Sequence, residues 1–486
     1  MIKRIVFDKE ITLWWNLSRG SVKKKYIGIL DGKVQQATSK THVSFLDLQP
    51  KTKYHVIVKS EDGEILIDEV ILTASSKKRI DVSKEPYNAV GDGKTLNTKA
   101  LQKAFDDCKK GEQIYIPKGT FLTGALRMHS NTELYLEEGA ALQGTDNVED
   151  YLPKIPSRFE GLDLTCYSSL INMGECDGYA PANCTNVVIR GKGRIVGGGV
   201  SLRNKIVDAE RIRLKTYMES LGDKIKEYET LDTIPGRARP RLINVSNTDG
   251  FVITGVNIEN GPAWNLHLLY SKNVSVYNCI FRSEPHINGD GCDPDSCENV
   301  AIFDCDFYVG DDCIAIKSGR NPDGNKVNRV CKYIYIFDCR AHSGHGISIG
   351  SEMSGGVEQV HIWDCDMRNC IFGSQIKATK KRGGFVQFVY VTRCILPLIM
   401  IWSVPYNDDG EGAGEIPDLQ HFYYRDCIIT GKKVETPENS VCKHILLQGF
   451  DEKPIDLVDF YNVKLQDDRA DRLEVLQRNV KRVNFS

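Results

Sequence analysis

The chain has 486 residues with 63 basic and 65 acidic side chains, a formal net charge of −2, so no basic surplus points to nucleic acid. No run of 18 apolar residues offers a membrane-spanning helix, and the opening MIKRIVFDKEITLWW is charged throughout, without the apolar stretch of a secretory signal; the expectation is a cytoplasmic protein. Its 16 cysteines include no CxxC pair and no His/Cys cluster, which argues for buried free thiols and against a disulfide scaffold or a metal site.

Residues 1–76 alternate apolar and polar positions in ITLWWNL, YIGILDG, HVSFLDL, YHVIVKS and ILIDEVIL, with turns at Asp31-Gly32 and Asp62-Gly63. This predicts a small β-sandwich. The segment Leu48-x-Pro50-x-Thr52-x-Tyr54-x-Val56 resembles the fibronectin type III signature, in which the tyrosine packs on the core at a strand start. A spacer, a cap, a wall at the substrate end or a homo-oligomer contact all suit such a unit, and the sequence leaves these open. ASSKKR at 74–79 reads as a linker into a second domain, residues 77–486. There NTKALQKAFDDC, Asn97 to Cys108, predicts an amphipathic helix with Ala100, Leu101, Ala104 and Phe105 on its apolar face. It would cover the open end of a stack of strands, whose unpaired edge is otherwise a liability.

After that helix, short strand-like runs return without regular helices between them. VSVYNCIF, VAIFDCDF, IYIFDCRA, VHIWDCDM, VYVTRCIL and FYYRDCII repeat one motif ending at Cys279, Cys305, Cys339, Cys365, Cys394 and Cys427, in steps of 26, 34, 26, 29 and 33 residues. Constant motif ends with variable steps signal a solenoid with loops of changing length. The fold class predicted is all-β: a right-handed parallel β-helix behind the small sandwich. The ladder cysteines would act as small buried hydrophobes. The pattern breaks at 201–229, where Ile206, Ala209, Ile212, Tyr217, Leu221, Ile225 and Tyr228 recur at near-helical spacing among charges. This predicts a helical insertion, either surface decoration or one wall of a cleft. The charged terminal stretch RADRLEVLQRNVKRVNF reads as a weak cap.

Between His286 and Arg382 four segments align on glycine: Gly289-Asp290-Gly291-Cys292, Gly310-Asp311-Asp312-Cys313, Gly344-His345-Gly346-Ile347 and Gly373-Ser374-Gln375-Ile376. The alignment gives a column of Asp290, Asp311, His345 and Ser374 beside an apolar column of Cys292, Cys313, Ile347 and Ile376. Asp311 lies six residues after Cys305 and His345 six after Cys339, which places them on adjacent coils. Neighbouring strands are about 4.8 Å apart, so these side chains can touch. Stacked aspartates could bind calcium or solvate a turn. Three carboxylates converging with an imidazole raise one another's proton affinity, and glycoside hydrolysis needs one protonated carboxyl and one ionised carboxylate. Asn247-Thr248-Asp249 lies 62 residues before Asp311, about two coils away, and reads as a turn entering a strand.

NGDG, GDDC, SGHG and SQIKATKKRGG, together with AVGDGKTLNTKALQKAFDDC, IYIPKGTFLTGAL, GPAWNLH and GSEMSGGV, resemble the ordered motifs of glycoside hydrolase family 28, the polygalacturonases, over roughly residues 84 to 450. The family's pattern is Asn-Thr-Asp, Gly-Asp-Asp, Gly-His-Gly and Arg-Ile-Lys. The resemblance implies that Asp311 is the general acid, that Asp290 and Asp312 hold and deprotonate water with inversion, and that His345 tunes the acid. It implies no metal and no cofactor. Lys377 would pair with a uronate carboxylate, with Gln375, Asn288 and Arg382 as further substrate contacts. Two departures stand out: Gly289 replaces the motif's Thr, and Gln375 replaces the Arg of Arg-Ile-Lys, which weakens bidentate carboxylate recognition. The expected substrate is a pectic oligosaccharide cut from its non-reducing end. Rhamnogalacturonan or substituted galacturonan is the alternative within the family, and a non-catalytic carbohydrate-binding solenoid the alternative outside it.

Overall fold

The computed structural model describes residues 2–17, 22–283, 285–403, 409–435, 441–466 and 470–486. The chain divides into two compact units, Met1–Lys78 and Arg79–Ser486. In the first, strands Ile2–Val6, Ile11–Trp15 and His42–Phe45 make one antiparallel sheet, and Tyr26–Leu30, Lys33–Thr38, Lys53–Ser60 and Ile65–Leu72 make another. Ile11, Leu13, Trp15, Val43 and Phe45 from one sheet share a core with Tyr26, Val56, Val58, Ile67 and Ile71 from the other. Tyr54 packs its ring on this core, and its hydroxyl accepts the Gln49 N–H at 2.8 Å.

The second unit is a parallel β-helix of 13-, 8- and 11-stranded sheets. Each coil repeats the side-chain pattern of its neighbours, as in the column Val274, Val300, Ile334, Val360, Val389. Like side chains therefore stack. The rings of Tyr277, Phe303, Phe337 and Trp363 follow one another at centroid spacings of 4.9, 4.7 and 4.4 Å, close to the spacing of the strands that carry them.

The repeated Asn-Cys or Asp-Cys pair now has a physical basis. The residue before each ladder cysteine, Asn278, Asp304, Asp338, Asp364, Arg393 or Asp426, is left-handed with φ between 52° and 55°. Asn and Asp tolerate that region best among non-glycine residues. The cysteine that follows turns inward and is buried without a disulfide. Its thiol donates to the carbonyl two residues back, at 3.3 Å from Cys305 to Phe303 and 3.5 Å from Cys339 to Phe337. Cysteine thus fills a small apolar space while offering a weak donor to a carbonyl at the corner.

Helix α1, Thr98–Asp107, buries Leu101, Ala104 and Phe105 in the solenoid core. At the other end the charged C-terminal stretch is more than a cap. Val475–Arg478 and Val480–Phe485 pair in parallel with Ile445–Gln448 and Ile455–Tyr461 as one more coil. Val480 and Val483 pack on the core, and Phe485 stacks on Phe460.

Among the fifteen described cysteines only Cys176 is not buried. A thiol reagent added to the native protein should therefore modify none of Cys279, Cys305, Cys339, Cys365, Cys394 and Cys427, while all six label once the protein is denatured without reductant. Peptide mapping that finds two or more of the six in disulfides would contradict this.

Candidate active site

The site lies where strands enter the 11-stranded sheet. Asp290 precedes Cys292–Asp295, Asp311 and Asp312 precede Ile314–Ile316, His345 precedes Gly346–Ile349, and Lys377 lies within Gly373–Ala378. The observed register differs from the glycine alignment. Cys292 pairs with Ile314, Ile314 with Ile347, and Ile347 with Ser374. Asp290 is consequently beside Asp312, whose carbonyl accepts the Gly291 N–H at 2.9 Å. Ser374, not Ile376, continues that inward column, hydrogen-bonded to the buried Tyr424 hydroxyl at 3.2 Å. Turns of slightly different length before each strand moved the register by one or two residues. Gly346 suits its place because φ is +107° and a Cβ there would strike the Gly373 backbone.

Register and turn together assemble a network. His345 Nδ1 is 3.1 Å from Asp311 Oδ1 and 3.5 Å from Asp312 Oδ1. Asp311 also accepts the backbone N–H groups of Asn288 at 2.8 Å and Asp312 at 2.9 Å. Asp312 accepts the Ser348 hydroxyl at 2.6 Å and Lys377 Nζ at 3.0 Å. Lys317 Nζ lies 4.0 Å from Asp290 and 3.3 Å from Glu352, and sits over the Trp264 ring at 4.6 Å.

These surroundings drive neighbouring carboxylates apart. Burial, with repulsion from Asp293 and Asp311, pushes the Asp290 carboxyl well above the usual carboxylate range. Asp312 is as buried, yet Lys377 and His345 outweigh that cost and hold it well below that range. Burial disfavours the imidazolium of His345, but hydrogen bonds to Asp311 and Asp312 raise its pKa to about 9. Proton affinities pushed in opposite directions on adjacent carboxyls are what acid–base chemistry uses. Donor atoms of Asp311, Asp312 and His345 lie within 4.8 Å of one another, a set that could also ligate a divalent cation. A cation there would have to displace the His345 proton that both aspartates favour.

Asp290, Asp311, Asp312, Asn288 and Lys377 line a cavity of about 200 Å³. Its far wall is the helical insertion, which runs as α2 (Gly199–Arg213), α3 (Lys215–Ser220) and α4 (Thr233–Gly236), seven residues beyond the expected end at 229. Leu202 and Ile206 seat α2 on the solenoid core, while Arg203, Val207, Glu229, Thr230 and Thr233 face the cavity. Ile212, counted in the sequence as part of the apolar pattern, is 79% exposed.

Two expected contacts do not reach the cavity. Gln375 is buried against Ser348, whose hydroxyl it accepts at 3.4 Å. Arg382 is fully buried and donates to the Ser351 carbonyl at 3.0 Å and to Asn321 Oδ1 at 2.7 Å. Asp249 belongs to another sheet and pairs with Lys272 at 3.2 Å. The sequence reading missed Lys317, Glu352, Trp264 and Arg239, all in the cavity lining. The available signal for Lys317 was a lone cation ending the apolar run IAIK, and for Trp264 its place in GPAWNLH.

The profile described as "Glycosyl hydrolases family 28" matches residues 109–396. The chain belongs to glycosyl hydrolase family 28. A probable polygalacturonase of Vitis vinifera is 30% identical over 382 residues, 75% of this chain and 71% of that protein. An endo-polygalacturonase of Pectobacterium carotovorum subsp. carotovorum is 28% identical, over 81% of this chain and 91% of that one. The fold of a family 28 exopolygalacturonase from Yersinia enterocolitica superposes with a TM-score of 0.80 at 20% identity, covering 99% of this chain and 98% of that chain.

This family 28 chain is thus a glycoside hydrolase whose stability should carry the signature of His345. A raised native pKa means that the imidazolium stabilises the fold fully below about pH 6.5 and loses that contribution as pH rises through about 9. The difference in urea midpoint between the native protein and His345→Gln should shrink across that window. A difference independent of pH would contradict the ion-paired network.

Proposed function

We propose that the protein is an exo-acting, inverting hydrolase that releases single galacturonic acid units from the non-reducing end of pectic oligosaccharides. The observation that carries the exo reading is the small cavity, walled on one side by the insertion. At about 200 Å³ it is smaller than the roughly 300–1,000 Å³ of pockets that enclose larger ligands, and the insertion blocks one side. A cavity of this size suits one terminal sugar, with the rest of the oligosaccharide leaving through the open side. The names of related proteins do not decide the mode of attack, because they include an endo-polygalacturonase.

In this reading Asp311, the most exposed of the three carboxylates at 19% of its side chain, gives its proton to the leaving glycosidic oxygen. A water molecule attacks the anomeric carbon as the glycosidic bond breaks. Asp312, kept ionised by Lys377 and His345, takes the water's proton, and Asp290 helps hold the water. His345 bridges Asp311 and Asp312 and passes changes in one to the other. One observation favours a second assignment: burial raises the proton affinity of the Asp290 carboxyl, which would suit Asp290 as the donor.

Two experiments test these statements. On a galacturonic acid hexamer, early products should be monomer and pentamer; early mid-length fragments with little monomer would mean an open groove and endo attack. Asp311→Asn should lower turnover of oligosaccharides by roughly 10²–10⁴-fold. It should spare α-galacturonosyl fluoride, whose leaving group needs no proton, whereas Asp290→Asn should impair both substrates. The reverse pattern would make Asp290 the acid.

A further inference from the structure

The hydrolase reading requires a cation for the sugar's carboxylate; the two lysines of the cavity are already committed, and Arg203 donates to its neighbour Asn204 at 2.8 Å. Lys377 is bound to Asp312 at 3.0 Å, and Lys317 to Glu352 at 3.3 Å with Asp290 at 4.0 Å. Gln375 stands where the family pattern has arginine, and it does not line the cavity.

Arg239 does line it, and it is held rigidly. Nε donates to the Gly236 carbonyl at 2.7 Å, Nη2 donates to Asn288 Oδ1 at 2.8 Å, and the guanidinium lies over the Phe159 ring at 4.9 Å. Nη1 is buried without a hydrogen-bond partner among the described residues, and Arg239 as a whole is only 4% exposed. A buried donor left unmet is costly, and more so when it is charged. Burial lowers the pKa of Arg239 to about 10, so the side chain remains a cation at neutral pH. The acidic neighbour Glu160 does not neutralise it at close range, because its carboxylate is paired with Arg237 at 2.9 Å.

We propose that Arg239 binds the carboxylate of the acidic sugar in the cavity through Nη1, supplying the guanidinium that position 375 lacks. This rests on the hydrolase reading above. Asn288 ties the two functions together: its side-chain oxygen accepts from Arg239, and its backbone N–H donates to Asp311, each at 2.8 Å. A sugar seated by its carboxylate is thereby registered against Asp311 through a single intervening residue.

The test compares digalacturonate with an analogue methyl-esterified at the carboxyl of its non-reducing sugar. The wild type should strongly prefer the free acid. Arg239→Gln should lower kcat/KM for the acid by about 30-fold or more, as expected when one partner of a buried charge pair is removed. It should leave the ester nearly unchanged, so that the preference collapses. Arg239→Lys keeps the charge without the fork; it should retain part of the preference, and it serves as the readout if the glutamine variant fails to fold. Equal losses on acid and ester, or a preference that survives in both variants, would overturn the assignment. A wild type that hydrolyses neither compound would instead overturn the hydrolase reading, and this inference with it.

Discussion

Parallel hydrogen bonding between successive coils is the constraint on which the site depends. Strands about 4.8 Å apart bring like positions together whether or not their charges agree. The solenoid therefore sets Asp290 beside Asp312, with Asp311 next to the turn that carries His345. Left alone, such a cluster would repel itself. Lys317 and Lys377 share one column at the ends of their strands, His345 lies in the column of Asp290 and Asp312, and the three face the carboxylates from both sides. The result is that the carboxyl of one aspartate is pushed well below the usual range and that of its neighbour well above it on adjacent rungs.

Much of this could be read from the residues. The cysteine ladder marked the coils because an αL corner followed by a small inward side chain recurs at each of them. The Asp-Asp pair and the histidine were found because both count six residues from a ladder cysteine. The exact pairing was not legible. Matching on glycine assumes turns of equal length, and the step from Ile347 to Ser374 breaks that assumption. Arg382 shows a second limit. Proximity in sequence to Lys377 suggested the cavity, but its side chain turns away to brace Ser351 and Asn321. Arg239, some fifty residues before the first catalytic motif, carried no local sign of its place.

The insertion gives the solenoid a feature that its repeats cannot supply. A bare parallel β-helix presents its strand faces as a continuous groove. Here α2 is anchored by Leu202 and Ile206, and the chain returning through Thr230 and Thr233 walls one side of that groove beside the carboxylates. Sequence periodicity detected the helices but could not show which face they covered, since Ile212 and Tyr217 are exposed despite their helical spacing.

The central claim is that the acid–base group sits in a cavity sized for one terminal sugar and walled on one side by the insertion. A crystal structure of Asp311→Asn with a bound galacturonic acid trimer tests it most directly. The account predicts that the non-reducing sugar is enclosed between Asp290 and the wall formed by Thr230 and Thr233, with the other two sugars leading outward from Asp311. A trimer that runs past that wall, with sugars on both sides of the carboxylates deep in an open groove, would contradict it.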